Sequence, residues 1–549
     1  MAITPGTVPA LPVTRLVPAA AVLLALATCA LAACGSRATE SCEPLGQGES
    51  DAAYLLPGMR AGIPYAQRGN TTLRFDSFRH ADEQVRPAAV ILRGGTATIG
   101  ARTSFVGQFV ELLADAGYQV VLPDYRSSSA TTAREDLTAL FAVLGCHGAA
   151  LGVDPYRVVV VAEDSAGDPA LDVTQWLARF RRGRSAAQPS PPRATVVIGG
   201  RHVRPPSVVE DPTLLVHGEA DREVSIDAVR AVCATATTGV ACDVIGVPEG
   251  IHRPENWTPA QWGYKPQMLD WLAGHVGGTP PPPAWPEDPR LTRGVLFDAT
   301  HDLRLDAFVP DGDGPHPAAL LVHGGGWEAG DRVTYITPMF TPLTRRGVAW
   351  FSIDYRPTPG VTNDAQLDDV RAALAYLRAH ASHFRIDPAR IVLVGESASG
   401  QLVSQLAAEG VDAAGVVSFY GVYDLEVMAG DPSSPRSLAR RLFGLTSLDD
   451  EGRATLRRFS PLHRAHGGML PILLVTGTAD GLWAQAQAFE RALQQAGARY
   501  DSVVLRDAPH GMEQWDGDAR WPDWSAQVVD WILRVTSGDD RRPRESSPP

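Results

Sequence analysis

At 549 residues the chain is too long for one ordinary hydrophobic core, so two domains of about 250 residues are the natural expectation. Hydrophobic residues at 44% and charged residues at 20% supply enough apolar surface for packed cores, while 52 glycines and 44 prolines point to many turns rather than long bundles. A formal charge of -13 argues against a nucleic-acid partner and leaves the chemistry open, because net charge governs solubility and steering.

Residues 1–34 read as a targeting segment. After Arg15 the apolar run LVPAAAVLLALATCALAA ends in Leu31-Ala32-Ala33-Cys34, followed by Gly35 and Ser36. This resembles the lipobox of bacterial lipoprotein signal peptides, which implies a lipidated Cys34 holding the protein on the outer face of the cytoplasmic membrane. A plain cleaved signal peptide or a membrane anchor fits the same stretch, and export follows from all three. Cys42, Cys146, Cys233 and Cys242 all lie in the first half, and an even number in an exported chain is expected to form two disulfides. Cys233 with Cys242 and Cys42 with Cys146 is the preferred pairing of three. None of the four sits in a C-x-x-C pair, so no metal site is expected.

The two halves repeat one another. Arg93-Gly94-Gly95 after AAVIL recurs 230 residues on as His323-Gly324-Gly325 after AALLV, and Asp124-Tyr125-Arg126 recurs at the same offset as Asp354-Tyr355-Arg356. Ser165 answers Ser397 at 232, Asp221 answers Asp480 at 259, and His252 answers His510 at 258. An offset that jumps only between the Ser and the Asp means one fold used twice, with an insertion of 27 residues in the second copy. The first copy spans residues 42–276 and the second 291–535. Between them 277–290, with four consecutive prolines, reads as a semi-rigid linker, and 536–549 as a disordered tail. The basic cluster Arg179, Arg181, Arg182 and Arg184 lacks interleaved aromatics and reads as a solvated loop.

Each copy alternates short β-branched runs with longer amphipathic patterns, which predicts an α/β fold: a mostly parallel sheet with helices on both faces. In the second copy AALLVHG, VAWFSIDY, RIVLVGES, AGVVSFYG, PILLVTG and YDSVVLRDA are the strand candidates. Ser397, Asp480 and His510 each follow one of them, which places all three at the carboxyl edge where such sheets bind ligands.

Ser397 stands in a strand–turn–helix context, VLVG then Glu396-Ser397-Ala398 then QLVSQLAAE, where a nucleophile elbow is expected. Gly395 supplies the first small residue of the turn, and Ser399 stands where a second glycine is usual. The run His323-Gly324-Gly325-Gly326-Trp327 exposes backbone N–H groups, so Gly325, Gly326 and Ala398 are the expected oxyanion donors. Asp480 would orient His510, and His510 would take the proton of Ser397 and return it to the leaving alcohol. In the first copy Ser165, Asp221 and His252 form a possible second triad. There Arg93 replaces the His, Thr96 the third Gly, and Glu163 fills the position that Gly395 holds, so this copy is expected to be degenerate.

Residues 291–535 resemble the α/β-hydrolase carboxylesterases related to hormone-sensitive lipase and to bacterial feruloyl and acetyl esterases, through HGGGW, DYR, GESASG, TGTAD and APHG. The resemblance implies hydrolysis of carboxylic esters, short-chain or polysaccharide-linked, through an acyl-serine and without metal or organic cofactor. A serine peptidase of the prolyl-oligopeptidase type shares fold and triad. A non-catalytic envelope binding or scaffold protein is the alternative from another class.

Overall fold

Short β-branched runs punctuated by Gly, Pro and Asp become the strands of two sheets. The computed structural model describes residues 42, 44–48, 56–94, 99, 102, 106–179, 191–200 and 208–537. The first half builds β1 (Arg60–Arg68), β2 (Thr71–Phe78), β3 (Arg86–Leu92), β4 (Gln119–Pro123), β5 (Val153–Glu163), β6 (Ala194–Ile198), β7 (Thr213–Gly218) and β8 (Cys242–Val247). The second builds β9 (Leu291–Asp298), β10 (Leu303–Phe308), β11 (His316–Val322), β12 (Ala349–Ile353), β13 (Ile386–Glu396), β14 (Gly415–Phe419), β15 (Ile472–Gly477) and β16 (Tyr500–Leu505).

One strand order occurs twice: β1-β2-β4-β3-β5-β6-β7-β8 in the first lobe, and β9-β10-β12-β11-β13-β14-β15-β16 in the second. β2 and β10 each run antiparallel to both of their neighbours, and the remaining strands pair in parallel. The two sheets are α/β, as the alternation of patterns predicts. Between β14 and β15 the second lobe carries two extra helices, Leu438–Phe443 and Asp450–Arg458, which account for the jump in spacing. The repeat extends to a buried ion-pair network that the motifs did not announce. Arg102 bonds Asp76 at 2.7 Å and Asp124 at 3.2 Å, and Arg332, 230 residues on, bonds Asp306 at 2.8 Å and Asp354 at 3.1 Å.

Successive side chains of a strand point to opposite faces, and here the two faces have different owners. In β11, Ala318, Leu320 and Val322 pack into a cluster belonging to the second lobe. Ala319 and Leu321 pack instead into a cluster that runs through both lobes. In β3, Ala88, Val90 and Leu92 face a cluster of the first lobe, while Ala89 and Ile91 join the shared one. The shared layer holds Phe109, Leu113, Trp257 and Met268 from the first lobe, and Met339, Phe340, Trp515 and Ile532 from the second. Both sheets lie in one compact unit, Leu45–Pro549.

Polar contacts tie the same seam. Glu111 of the first lobe accepts from Arg293 at 2.8 Å and from Arg332 at 3.3 Å. Gly107 lies so close to the second lobe that a Cβ there would stand 2.1 Å from the Val333 carbonyl oxygen. The Pro-rich segment is docked rather than a free spacer. Arg86 donates to the carbonyls of Pro281 and Pro282, both at 2.8 Å, and Trp285 packs on Phe78 with ring centroids 5.3 Å apart. Cys233 and Cys242 are bridged, and Cys42 and Cys146 are each disulfide-bonded. Cys34, Gly95, Thr96, Arg181, Arg182, Arg184 and the residues after Ser537 lie outside the described residues.

Candidate active site

The carboxyl end of β13 runs into Ser397, whose φ of 53° and ψ of -114° mark a strained turn, and the helix Ala398–Glu409 begins at once. Gly395 is required beneath this turn, because a Cβ there would stand 2.4 Å from the Ser399 carbonyl oxygen. Ser399 also explains itself. Its hydroxyl accepts from the Glu396 N–H at 2.8 Å and donates to the Val322 carbonyl at 2.7 Å, pinning the elbow to β11.

The structure brings Ser397, Asp480 and His510 together. His510 Nε2 lies 2.9 Å from Ser397 Oγ, and His510 Nδ1 lies 2.8 Å from Asp480 Oδ2. Asp480 is buried and its other oxygen accepts from the Leu482 N–H at 2.7 Å, which fixes the carboxylate. The Tyr420 ring packs against the imidazole at 4.6 Å, and its hydroxyl accepts from the Met512 N–H at 2.8 Å.

Gly325 and Gly326 both have positive φ, 95° and 62°, a conformation that frees the loop after β11 from side-chain hindrance. A Cβ on Gly325 would strike the Ala329 carbonyl oxygen at 2.2 Å, whereas Gly326 faces open space. Ala398 opens the helix, so its N–H has no helical acceptor. His323, first residue of the glycine run, is buried and braces the loop: its Nδ1 lies 2.9 Å from the Gly324 carbonyl, and its ring stacks on Tyr355 at 4.3 Å. Burial pushes its pKa down to about 4 and keeps it neutral.

Gly325, Gly326, Ser397 and His510 line a cavity of about 140 Å³. Its floor holds Glu396, whose carboxyl burial pushes up to about 7, opposed by the positive field of His510 and a hydrogen bond with the Gly324 amide. A Cβ on Gly324 would stand 2.0 Å from Glu396 Oε1, so the glycine makes room for this acid. The raised folded-state pKa sets a sign. The stabilisation is complete below the unfolded value near 4.5 and is lost as pH rises through about 7, by up to about 3 kcal/mol. The melting temperature is expected to fall across that window, and Glu396→Gln to flatten the fall. Thermal unfolding at a series of pH values checks this, and an unaltered slope in the variant would refute it.

The first lobe departs from its sequence reading by one residue. β3 pairs with β5 through Leu92 and Ala162, as β11 pairs with β13 through Val322 and Gly395. Ala162 is therefore the counterpart of Gly395, Glu163 that of Glu396, and Asp164 that of Ser397. Asp164 has the elbow φ, 48°, and its Oδ1 stands 3.3 Å from His252 Nε2. His252 Nδ1 in turn lies 2.7 Å from Asp221 Oδ2. Asp221 and His252 are thus together, but Asp164 rather than Ser165 faces the imidazole, and the Ser165 triad is not assembled. Glu163 does not fill the Gly395 position that the sequence assigned to it: its Oε2 accepts from the Gly94 N–H at 3.3 Å, the role that Glu396 plays toward Gly324. Matching Ser to Ser by identity concealed the shift, because strand register and not the letter decides which residue occupies the turn.

Part of the cavity wall comes from the first lobe. Arg253, Glu255 and Asn256, which follow His252, line the same cavity as Gly511, Glu513 and Gln514, which follow His510. The Tyr335 hydroxyl clamps the join by donating to the Glu255 carbonyl and, at 2.9 Å, lying against Asn256 Oδ1. Sequence reasoning missed this wall, since nothing local signals that two equivalent loops meet. Among the described residues, no three His, Cys, Asp or Glu side chains group as a metal site.

Residues 305–493 match the BD-FAE family model. The chain is 30% identical over 246 residues to a probable isoprenylcysteine α-carbonyl methylesterase of Oryza sativa subsp. japonica, which covers 40% of this chain and 57% of that protein. It is 30% identical over 224 residues to the carboxylic ester hydrolase LipN of Mycobacterium tuberculosis, covering 37% of this chain and 59% of LipN. A solved structure of a truncated carbohydrate esterase from gut microbiota aligns at a TM-score of 0.40 and 20% identity, over 46% of this chain and 99% of that one. The chain spans little more than half the length of these curated relatives. The resemblance to α/β-hydrolase carboxylesterases read from HGGGW and GESASG is borne out by the family model and by the curated relatives.

Proposed function

We propose that the second lobe hydrolyses carboxylic esters through an acyl-serine intermediate. The observation that carries this reading is the continuous hydrogen-bonded line from Ser397 Oγ through His510 to buried Asp480, at 2.9 and 2.8 Å. Ser397 Oγ attacks the ester carbonyl as its proton passes to His510 Nε2, and Asp480 stabilises the imidazolium. The N–H groups of Gly325, Gly326 and Ala398 take the charge of the tetrahedral oxyanion. Collapse expels the alcohol, which receives the proton from His510, and water repeats the sequence on the acyl-enzyme to release the acid and restore Ser397.

A cavity of about 140 Å³ suits a short acyl group rather than a long lipid chain. A fluorophosphonate probe tests the reading directly. Peptide mapping is expected to find the adduct on Ser397 and none on Ser165, and an unlabelled protein would overturn the proposal.

The export segment belongs to the same proposal, with a lipid on Cys34 holding the enzyme at the outer face of the cytoplasmic membrane. Cys34→Ser is expected to abolish metabolic labelling by a fatty acid and to move the protein out of the membrane fraction. Unchanged fractionation without fatty-acid incorporation would refute the anchor.

A further inference from the structure

The first lobe holds Asp164 where a nucleophilic serine would stand, yet the loop after its His252 reaches the cavity of the other lobe. That loop is well held. The Trp257 indole donates to the Ile251 carbonyl at 2.8 Å, and Pro254 packs over Gly199, where a Cβ would meet it at 2.6 Å. Tyr335 closes it from the second lobe. A wall built this firmly presents its side chains in fixed positions, as recognition demands.

Arg253 is the cationic side chain on that wall, and its ion pair there is a loose one. Its guanidinium lies 3.7 Å from Glu255 Oε1, beyond hydrogen-bond distance, and 47% of the side chain is exposed. Burial raises the pKa of both Glu255 and Glu513, and the charge of Arg253 opposes the rise. Oε2 of Glu255 and Oε1 of Glu513 have no hydrogen-bond partner within the protein. A planar guanidinium beside a small polar cavity is suited to a two-pronged bond with a carboxylate. The chain as a whole is negative, at -13, so an anionic substrate gains nothing from the overall field and needs such a local cation.

Resting on the esterase reading, we propose that the first lobe is the specificity lobe of the second, and that Arg253 receives a carboxylate carried by the ester substrate. The carboxylate belongs either to the acyl part, as in a half-ester of a dicarboxylic acid, or to the alcohol part, as in an acylated uronic acid.

Full-length protein is assayed with two matched pairs, monomethyl glutarate against methyl glutaramate for the acyl side, and 4-acetoxybenzoate against 4-acetoxybenzamide for the alcohol side. The readout is the ratio of kcat/KM for the anionic over the neutral ester, so differences in intrinsic reactivity cancel between wild type and variant. Arg253→Gln is expected to lower that ratio roughly 10- to 100-fold in one pair, as loss of a charge-assisted hydrogen bond does. The change should come chiefly through KM. Arg253→Lys should recover part of it, and in wild type the preference should weaken with added salt. The pair that responds identifies the side bearing the carboxylate. A ratio unchanged by Arg253→Gln in both pairs, with fluorophosphonate still labelling Ser397, overturns the assignment of Arg253 and leaves the esterase reading standing. No turnover of any ester together with no labelling overturns both.

Discussion

Replacing Ser397 by alanine should lower ester turnover by about 10⁴- to 10⁶-fold, the range seen when a nucleophile is removed from a catalytic triad elsewhere. The alteration removes one oxygen at a turn whose shape is set by other residues. Gly395 packs against the Ser399 carbonyl, and the Ser399 hydroxyl bonds Glu396 and Val322, none of which depends on Ser397 Oγ. The melting temperature should therefore stay within a few degrees of wild type. Because Asp164 rather than Ser165 faces His252 in the first lobe, no second acyl-serine site is expected to sustain a background. Initial rates on a short-chain p-nitrophenyl ester, read beside a thermal unfolding curve, decide it. A variant retaining more than a few per cent of wild-type activity would place the chemistry elsewhere.

Severing the lobes should cost the second lobe its fold. Residues 291–537 alone would lose the part of the shared apolar layer that Trp257, Met268 and Leu272 supply. Each such side chain contributes about 1.5–3 kcal/mol when buried. Loss of several such contacts is comparable with the net stability of an ordinary domain, about 5–15 kcal/mol. Arg332 and Arg293 would also lose Glu111. The isolated lobe is expected to aggregate or to unfold without a cooperative transition, and supplying residues 42–276 in trans should recover soluble material. Calorimetry on each preparation is the check. A soluble second lobe that melts close to the intact protein would show that the shared layer is dispensable.

The strands were legible because both faces of a central strand in such sheets are covered. Runs such as VVVVA in β5 and IVLVG in β13 therefore read as continuous apolar segments. The order Ser397, Asp480, His510 was legible for a related reason: each follows a strand, and parallel strands bring their carboxyl ends to one edge. The first-lobe elbow was not. Ser165 and Ser397 share a letter, while the pairings of Leu92 with Ala162 and of Val322 with Gly395 put Asp164 in the turn. A slip of one residue changes which side chain points out of the turn, and only the hydrogen-bond register between strands fixes it.

What the sequence determined by itself was local and periodic: which segments are strands, that one plan is used twice, and which residues of the second copy can meet as Ser, His and Asp. The tertiary structure decided what covers each apolar face. Ala319 and Leu321 look the same in sequence whether a helix of their own lobe or a layer shared with the other lies above them. It also decided that the tetraproline segment docks on Arg86. It carried Arg253, 144 residues away from Ser397, into the wall of the same cavity. The physical reason is that periodicity specifies an apolar surface but not its partner, which is chosen by long-range packing once both surfaces exist.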